Sequence, residues 1–423
     1  MGEEITNIAV VGGGAAGLTA AYLLQQHYVV TLYDKNAYAG GHANTVVIPN
    51  GPDKGKPVDT GFVLLNDQTY PTFRRLLQRL EVPVRPSEFS FGYWDEKSGL
   101  QYGATGLNGL FAERENLWNS AFWTILREWT RFKRRSCRDL AAGKLGALAL
   151  GEYAEQENYS RGFLRDCLLP LGAAVWCNSV REVEQFPADF FVRVLENLGL
   201  LGKPRRLQWM TVEGGSQSYV KAILKTFKTR VHLGETVEEV KRKKDQVLLR
   251  TRSGQEQAYD KVVMACHADE ALGLLADPTE EEQRLLSAWS YQKNNAVLHT
   301  DRDVMPPLKN AWACWNYVRE IDATLSQPVS LTTHVNRQQG LDSRENYFVT
   351  LNRVRPIPER YVVKEMYYTH PTFTRAAVES QKDLPGLNGA NNTYYCGSYF
   401  GDGFHEDAVK SAVAVTRSLG INF

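Results

Sequence analysis

This chain lacks, first of all, an excess of charge of one sign. Its 423 residues carry 49 Lys+Arg against 48 Asp+Glu, a net charge of +1, which supplies no global field for gathering phosphates and argues against nucleic acid as a partner. The six cysteines (Cys137, Cys167, Cys177, Cys266, Cys314, Cys396) form no CxxC pair. Neither a disulfide framework nor a metal site is therefore expected, and a reducing compartment fits. No stretch reaches about 18 consecutive apolar residues, and the opening MGEEITNIAVVGGG has neither a basic n-region nor a small-residue cleavage site. The expectation is a cytoplasmic chain that does not span a membrane. GxSxG and HExxH are missing and the eight histidines are dispersed, which removes the usual nucleophile-elbow and zinc-protease signatures.

What is present is an ordinary globular balance, 43% hydrophobic and 23% charged, with an aromatic surplus of 20 Tyr, 17 Phe and 9 Trp. Three separated stretches read as nucleotide-binding α/β structure: 1–75, 205–275 and 385–423. Two inserts, 76–204 and 276–384, read as a helix-rich segment and a strand-rich one, and together predict an α+β substrate domain interrupting the first. The basic run Lys241, Arg242, Lys243, Lys244 lies between two alternating segments and reads as a solvated hairpin turn.

The sharpest motif comes early. Ile8, Ala9, Val10 and Val11 run into Gly12-Gly13-Gly14-Ala15-Ala16-Gly17 and then the helical LTAAYLLQQ. Gly12 permits the tight turn, Gly14 lets backbone approach a pyrophosphate, and Gly17 lets the helix pack on the strand. The phosphates then sit at the helix N-terminus, where free N–H groups favour negative charge. A second strand, VVTLY, ends at Asp34, 17 residues past Gly17, where a carboxylate binds an adenosine ribose and disfavours a 2′-phosphate. This fingerprint alone leaves FAD and NAD open.

Further segments resemble the flavin-dependent amine oxidase and phytoene desaturase superfamily. Asp34 is followed by KNAYA and then Gly40-Gly41-His42; Val58-Asp59-Thr60-Gly61-Phe62 is similar to the family's D-x-G segment; and YYCGSYFGDGFHEDAVKSAVAVTRSL is similar to its C-terminal flavin motif. The middle stretch, from VEGGSQSYVKAILKTF to KVVMACHADEAL, follows the family's order of elements. The family usually has Arg where this chain has His42, and an acid where it has Ser398. The spellings GGHANT and GFHEDAVKS look most like bacterial FAD proteins associated with cyclopropane-fatty-acid synthases. The resemblance implies a Rossmann-like FAD-binding domain of the glutathione-reductase and amine-oxidase type. It implies FAD contacts from Gly12, Gly14, Ala15, Ala16, Gly17, Asp34, Lys35, Gly41, His42, Gly61, Phe62, Val63, Val237, Gly397, Ser398, Phe404, His405, Glu406, Asp407 and Ala408.

A flavin carries the redox chemistry itself, so the protein needs to orient a C–H bond and exclude water. The candidates for local catalytic work are His405, which either orients the flavin or exchanges protons, and Tyr399, which with Phe400 flanks the substrate or else packs in the core. Amine oxidases of this superfamily have a lysine near the flavin; Lys293 lies in the right insert without a supporting motif. Trp118, Phe122, Ile125, Leu126, Trp129 and Phe132 fall at helical spacing, and six basic residues lie between 127 and 138. Residues 118–138 are therefore either a membrane-surface helix or a core helix with a basic edge. The functional expectation is an FAD-dependent oxidoreductase acting on an apolar small molecule or lipid, a fatty acyl or polyene chain, by desaturation, reduction or isomerisation. The alternatives are an amine oxidase releasing peroxide and a non-catalytic accessory subunit partnering a lipid methyltransferase.

Overall fold

The computed structural model describes residues 6–202, 207–227, 230–324 and 326–423; the expected domain edge at 204/205 falls outside them. The apolar run at the start forms strand β1 (Asn7–Val11), the middle of a five-stranded parallel sheet. Strand β2 (Val29–Asp34) flanks it on one side and Lys261–Met264 on the other; Arg230–Leu233 and Thr393–Tyr395 form the edges. Ile8 to Val11 do not alternate with polar residues because a parallel sheet is covered on both faces. Helix α1 (Ala15–Leu24) packs on the last helix, His405–Ser418, where Ala20, Ala21, Ala408 and Ala412 are all buried. Gly17 is obligatory here, since a Cβ would stand 1.8 Å from the Gly12 carbonyl oxygen. This is the α/β, Rossmann-like architecture that the sequence predicts.

A seven-stranded mixed sheet draws on both inserts. Its order is Val362–Thr372, Ser290–His299, Phe348–Leu351, Leu331–His334, Trp315–Arg319, Phe91–Asp95 and Gln101–Gly103. Side chains alternate between its faces. The pairing puts Trp315, Leu331, Thr333, Val349, Leu351, Tyr368 and His370 on one face, and Lys293, Tyr367 and Thr369 on the other. A further small sheet pairs Trp209–Val212 with Leu65–Asn66 and with Val84–Pro86.

One local expectation changes. Arg242 is not part of a solvated turn: it is buried on strand Val237–Arg242 and pairs with Glu282 at 2.6 Å and Asp277 at 2.9 Å. The long helix Ser120–Ala141, capped by the Asn119 side chain, buries Phe122, Ile125 and Phe132 in the core. These three residues of its apolar face are spent on packing. Arg131 lies over the Tyr159 ring at 4.1 Å and Arg135 pairs with Asp139 and Glu157. What stays exposed is a patch at the start of that helix: Trp118 (90%), Leu107 (77%), Trp123 (49%) and Leu117 (42%). Among the described residues no helix is long and apolar enough to cross a membrane.

Candidate functional site

The C-terminal ends of the parallel strands open into a cavity of about 1000 Å³, at the upper end of the roughly 300–1,000 Å³ typical of small-molecule sites. Ligands in open α/β sheets sit at such strand ends. The glycine-rich turn forms one end of it. Gly14 has nothing within 4 Å of where a Cβ would stand, so its backbone is bare toward the cavity, whereas a Cβ on Gly12 would strike the Ala265 carbonyl oxygen at 2.7 Å. Asp34 ends β2 and accepts hydrogen bonds from the Gly13 and Asn36 N–H groups at 2.6 and 2.7 Å. Burial raises its pKa, and those two donors oppose the shift.

The segments quoted from the sequence are laced together at this wall. Gly40 bridges Gly14. The Phe62 N–H donates to the His42 carbonyl at 2.7 Å and the Thr60 N–H to that of Asn44 at 2.9 Å. A Cβ on Gly61 would stand 2.3 Å from the His42 carbonyl oxygen. Gly12, Gly14, Ala15, Ala16, Asp34, Lys35, Gly41, His42, Gly61, Phe62, Val63, Val237, Gly397, Ser398, Phe404, His405 and Ala408 all line the cavity. Gly17, Glu406 and Asp407 do not. Glu406 accepts from the Thr72 and Phe73 N–H groups at 2.9 and 2.8 Å, capping the helix Pro71–Arg79. Asp407 accepts from Phe404 N–H at 2.9 Å and caps its own helix, and burial with Asp402 nearby pushes its pKa up to about 7. Both acids serve protein N–H groups, the helix-capping role, and neither lines the cavity.

The two catalytic candidates are constrained in different ways. His405 stacks on Phe62 with ring centres 3.9 Å apart, shares a 2.7 Å hydrogen bond with the Tyr219 hydroxyl, and is held neutral by burial, which lowers its pKa to about 3. A group so placed orients its neighbours and carries no charge at neutral pH. Tyr399 is 1% exposed, packed against Trp289 and Phe400, and its hydroxyl has no partner. It reaches the cavity wall, while Phe400 does not.

Several wall residues carry no assigned role in the sequence, Asp59 of the D-x-G-like segment among them. Asp59 is buried beneath the cavity, accepting from Thr45 Oγ1 (2.5 Å), Ser216 N–H (2.9 Å) and Ser216 Oγ (2.8 Å), and burial raises its pKa to about 6. Four dispersed histidines, His42, His267, His370 and His405, converge on one cavity. His267 follows strand Lys261–Met264 by three residues, a strand-end position that the topology rule could have flagged; nothing local marks His370. From the inserts come Phe89, Val175, Trp176, Leu198, Leu200, Trp315, Leu331, Val349, Leu351 and Tyr368. Lys293 is the one charged side chain that the inserts contribute to the described wall, on the outer face of its sheet.

The sequence profile of the flavin-containing amine oxidoreductases matches residues 15–335. The chain belongs to that family. It is an FAD-dependent oxidoreductase, and the bare glycine turn, Asp34 at the end of β2 and the cavity fit that cofactor. No curated protein matches the chain. Its fold is similar to that of a conjugated-linoleic-acid-producing fatty acid isomerase from P. acnes (15% identity, TM-score 0.68, covering 97% of this chain and 98% of that one). It is also similar to putrescine oxidase bound to putrescine (12%, 0.66, 99% and 98%). A third likeness is to cyclohexylamine oxidase from Brevibacterium oxydans (13%, 0.67, 99% and 100%).

Proposed function

We propose that this flavoenzyme acts on an apolar chain, a fatty acyl or polyene substrate, and moves a hydride between the substrate and the flavin. The observation that carries this reading is the composition of the insert-derived wall: mostly aliphatic and aromatic side chains, with Thr333, Gln338, Thr369 and His370 among them, no carboxylate among the described residues, and a single lysine, Lys293. A cationic amine in an apolar site calls for a counter-ion or an uncommitted aromatic cage. Here the acids that line the cavity are occupied by backbone, hydroxyl or lysine partners near the nucleotide end: Asp34, Asp59, Glu235 and Glu270. The solved folds point both ways, since one of them is a fatty acid isomerase and two are amine oxidases.

On this reading α1's N-terminus and the Gly12–Gly14 backbone hold the diphosphate, Asp34 the ribose, Val237 the adenine, and Gly61–Val63, Ser398 and the start of the last helix the flavin ring. The bound flavin supplies hydride transfer at N5. The remaining work belongs to the chain: Phe62, Trp176, Trp315, Leu331 and Leu351 exclude water and align the substrate, and neutral His405 holds Phe62 in place.

The exposed patch of Leu107, Leu117, Trp118 and Trp123, with Arg114 and Arg127 exposed beside it, is proposed as the contact with a lipid surface from which such a substrate is drawn. Within it Trp123 Nε1 donates to the Leu117 carbonyl at 3.0 Å, and the Trp123 ring lies 5.5 Å from the buried Phe111. The test is anaerobic spectroscopy of the purified holoenzyme. Unsaturated fatty acids and phospholipid vesicles should perturb or bleach the flavin bands, and primary and secondary amines should not. Rapid bleaching by amines with no response to lipids would overturn the proposal.

A further inference from the structure

We propose that Gln338 is a specificity-determining residue whose side-chain amide takes a hydroxyl carried by the substrate's apolar chain, a role that rests on the apolar-chain reading above. Gln338 lies on the short helix Val335–Gln339, is 1% exposed and lines the cavity. Its Oε1 is buried without a hydrogen-bond partner, and its Nε2 has none either. Turning the amide over therefore changes nothing: either way it holds an acceptor and a donor that no protein group uses.

The next residue shows what a structural glutamine does in this place. Gln339 is equally buried, but its Oε1 accepts from the Asp59 N–H at 3.0 Å and its Nε2 donates to the Pro57 carbonyl at 3.4 Å. Both ends of that amide hold the segment leading to Gly61. Gln338 makes no such bond, and a buried amide left unpaired lowers stability where an apolar side chain of similar length would not. The backbone around it is fixed: Ser87 Oγ donates to the Gln338 carbonyl and Arg85 Nη2 to that of Gln339. A partner for the amide has to come from the cavity.

The surroundings select a neutral partner. The Ser87 N–H donates to the Trp209 carbonyl at 2.9 Å, and the Phe89 ring lies between those of Trp209 (5.4 Å) and Trp315 (5.0 Å). Trp315 pairs with Thr333 across the seven-stranded sheet, and Thr333 with Val349. These five residues line the cavity with Gln338, and Arg85 does not. The wall's unpaired cation, Lys293, belongs to the opposite face of that sheet from Thr333 and Val349. A carboxylate or an ammonium ion among these rings would lack a counter-ion. A hydroxyl needs none, and it gives the buried Oε1 the hydrogen it lacks. Held there, it fixes how far the chain slides along the cavity, and with that which C–H bond is presented for hydride transfer.

The test titrates the FAD-loaded enzyme, followed by its flavin bands, with a long-chain monounsaturated alcohol, the methyl ether of that alcohol, and the matching carboxylate at pH 8. The alcohol should bind about fivefold more tightly than the ether, the worth of one hydrogen bond between neutral groups, and the carboxylate more weakly than the alcohol. Gln338→Leu should bring alcohol and ether within about twofold of each other, keep its FAD, and melt no lower than the parent because it removes an unpaired amide. Gln338→Met, unbranched like glutamine, should do the same. Equal binding of alcohol and ether by the parent, or a preference for the carboxylate, would overturn the proposal. So would loss of FAD, or a melting temperature several degrees lower, in both variants, since the amide would then serve the cofactor or the fold. No response to any of the three chains would instead overturn the apolar-chain reading, and this role for Gln338 with it.

Discussion

The hydroxyl of Tyr219 and Nε2 of His405 stand 2.7 Å apart, and this bond ties the helix Gln217–Thr226 to the first turn of the last helix. It links two stretches 186 residues apart in sequence, and both rings are buried. Because His405 stays neutral, no limb of the pH–rate profile between pH 5 and 8 should trace to it. Tyr219→Phe removes the bond and leaves a ring nitrogen unmatched, which should lower stability by about 1–3 kcal/mol. Thermal melting and kcat/KM against pH check both statements; an activity limb that moves in Tyr219→Phe would restore His405 as a proton-exchanging residue.

Two glycines of one turn should fail differently. Gly17→Ala forces a Cβ to 1.8 Å from the Gly12 carbonyl oxygen, so the helix must shift and the apoprotein should melt several degrees lower. At Gly14 the space is open, so Gly14→Val should leave the apoprotein's melting temperature within a degree or two and cut FAD binding at least tenfold. The flavin-to-protein absorbance ratio and the apoprotein melt separate the two effects.

Asp59 makes stability depend on acidity. Its folded pKa of about 6 lies above the usual carboxylate value of 3.8 because burial outweighs its hydrogen bonds. The folded chain therefore holds a proton that the unfolded chain has lost between about pH 4 and 6. The stability present below pH 4 falls across that window by about 3 kcal/mol. Asp59→Asn should flatten that part of the curve, as read by denaturant unfolding of apoprotein at pH 4, 5 and 6.

The long helix Ser120–Ala141 predicts a division between contact and core. Trp118→Ser with Trp123→Ser changes exposed and half-exposed side chains and should reduce sedimentation with anionic vesicles at least several-fold, while the lost Trp123 contacts with Leu117 and Phe111 lower the melting temperature far less than Phe132→Ser does. Phe132→Ser opens a fully buried site and should cost about 3–5 kcal/mol. Equal vesicle binding by the tryptophan pair variant and the parent would remove the patch as a lipid contact.

The nucleotide half was legible because its signals are local. Gly12 to Gly17, Asp34 and the apolar β1 each state a backbone requirement within a few residues. The cavity's other wall was not, because it is made by register. Tyr367, Tyr368, Thr369 and His370 reach the cavity through the pairing of Val362–Thr372 with Ser290–His299, which no local spacing states. Helical spacing in residues 118–138 told truly of a helix and of an apolar face, but periodicity cannot say what covers such a face. Arg242 looked solvated in the sequence because its partners, Asp277 and Glu282, lie 35 and 40 residues further on.

The five-stranded sheet carries a lesson about synthesis. Its edge strand Thr393–Tyr395 and the helix that packs on α1 are made long after β1 and α1. During translation the glycine turn therefore waits, with one side of α1 uncovered, until the segment 393–418 has emerged. Pairings of such sequence separation form slowly and leave apolar surface open in the meantime. Cofactor capture then has to wait for residues 393–418, and a nascent chain halted before Thr393 would display a long, sticky intermediate with no flavin.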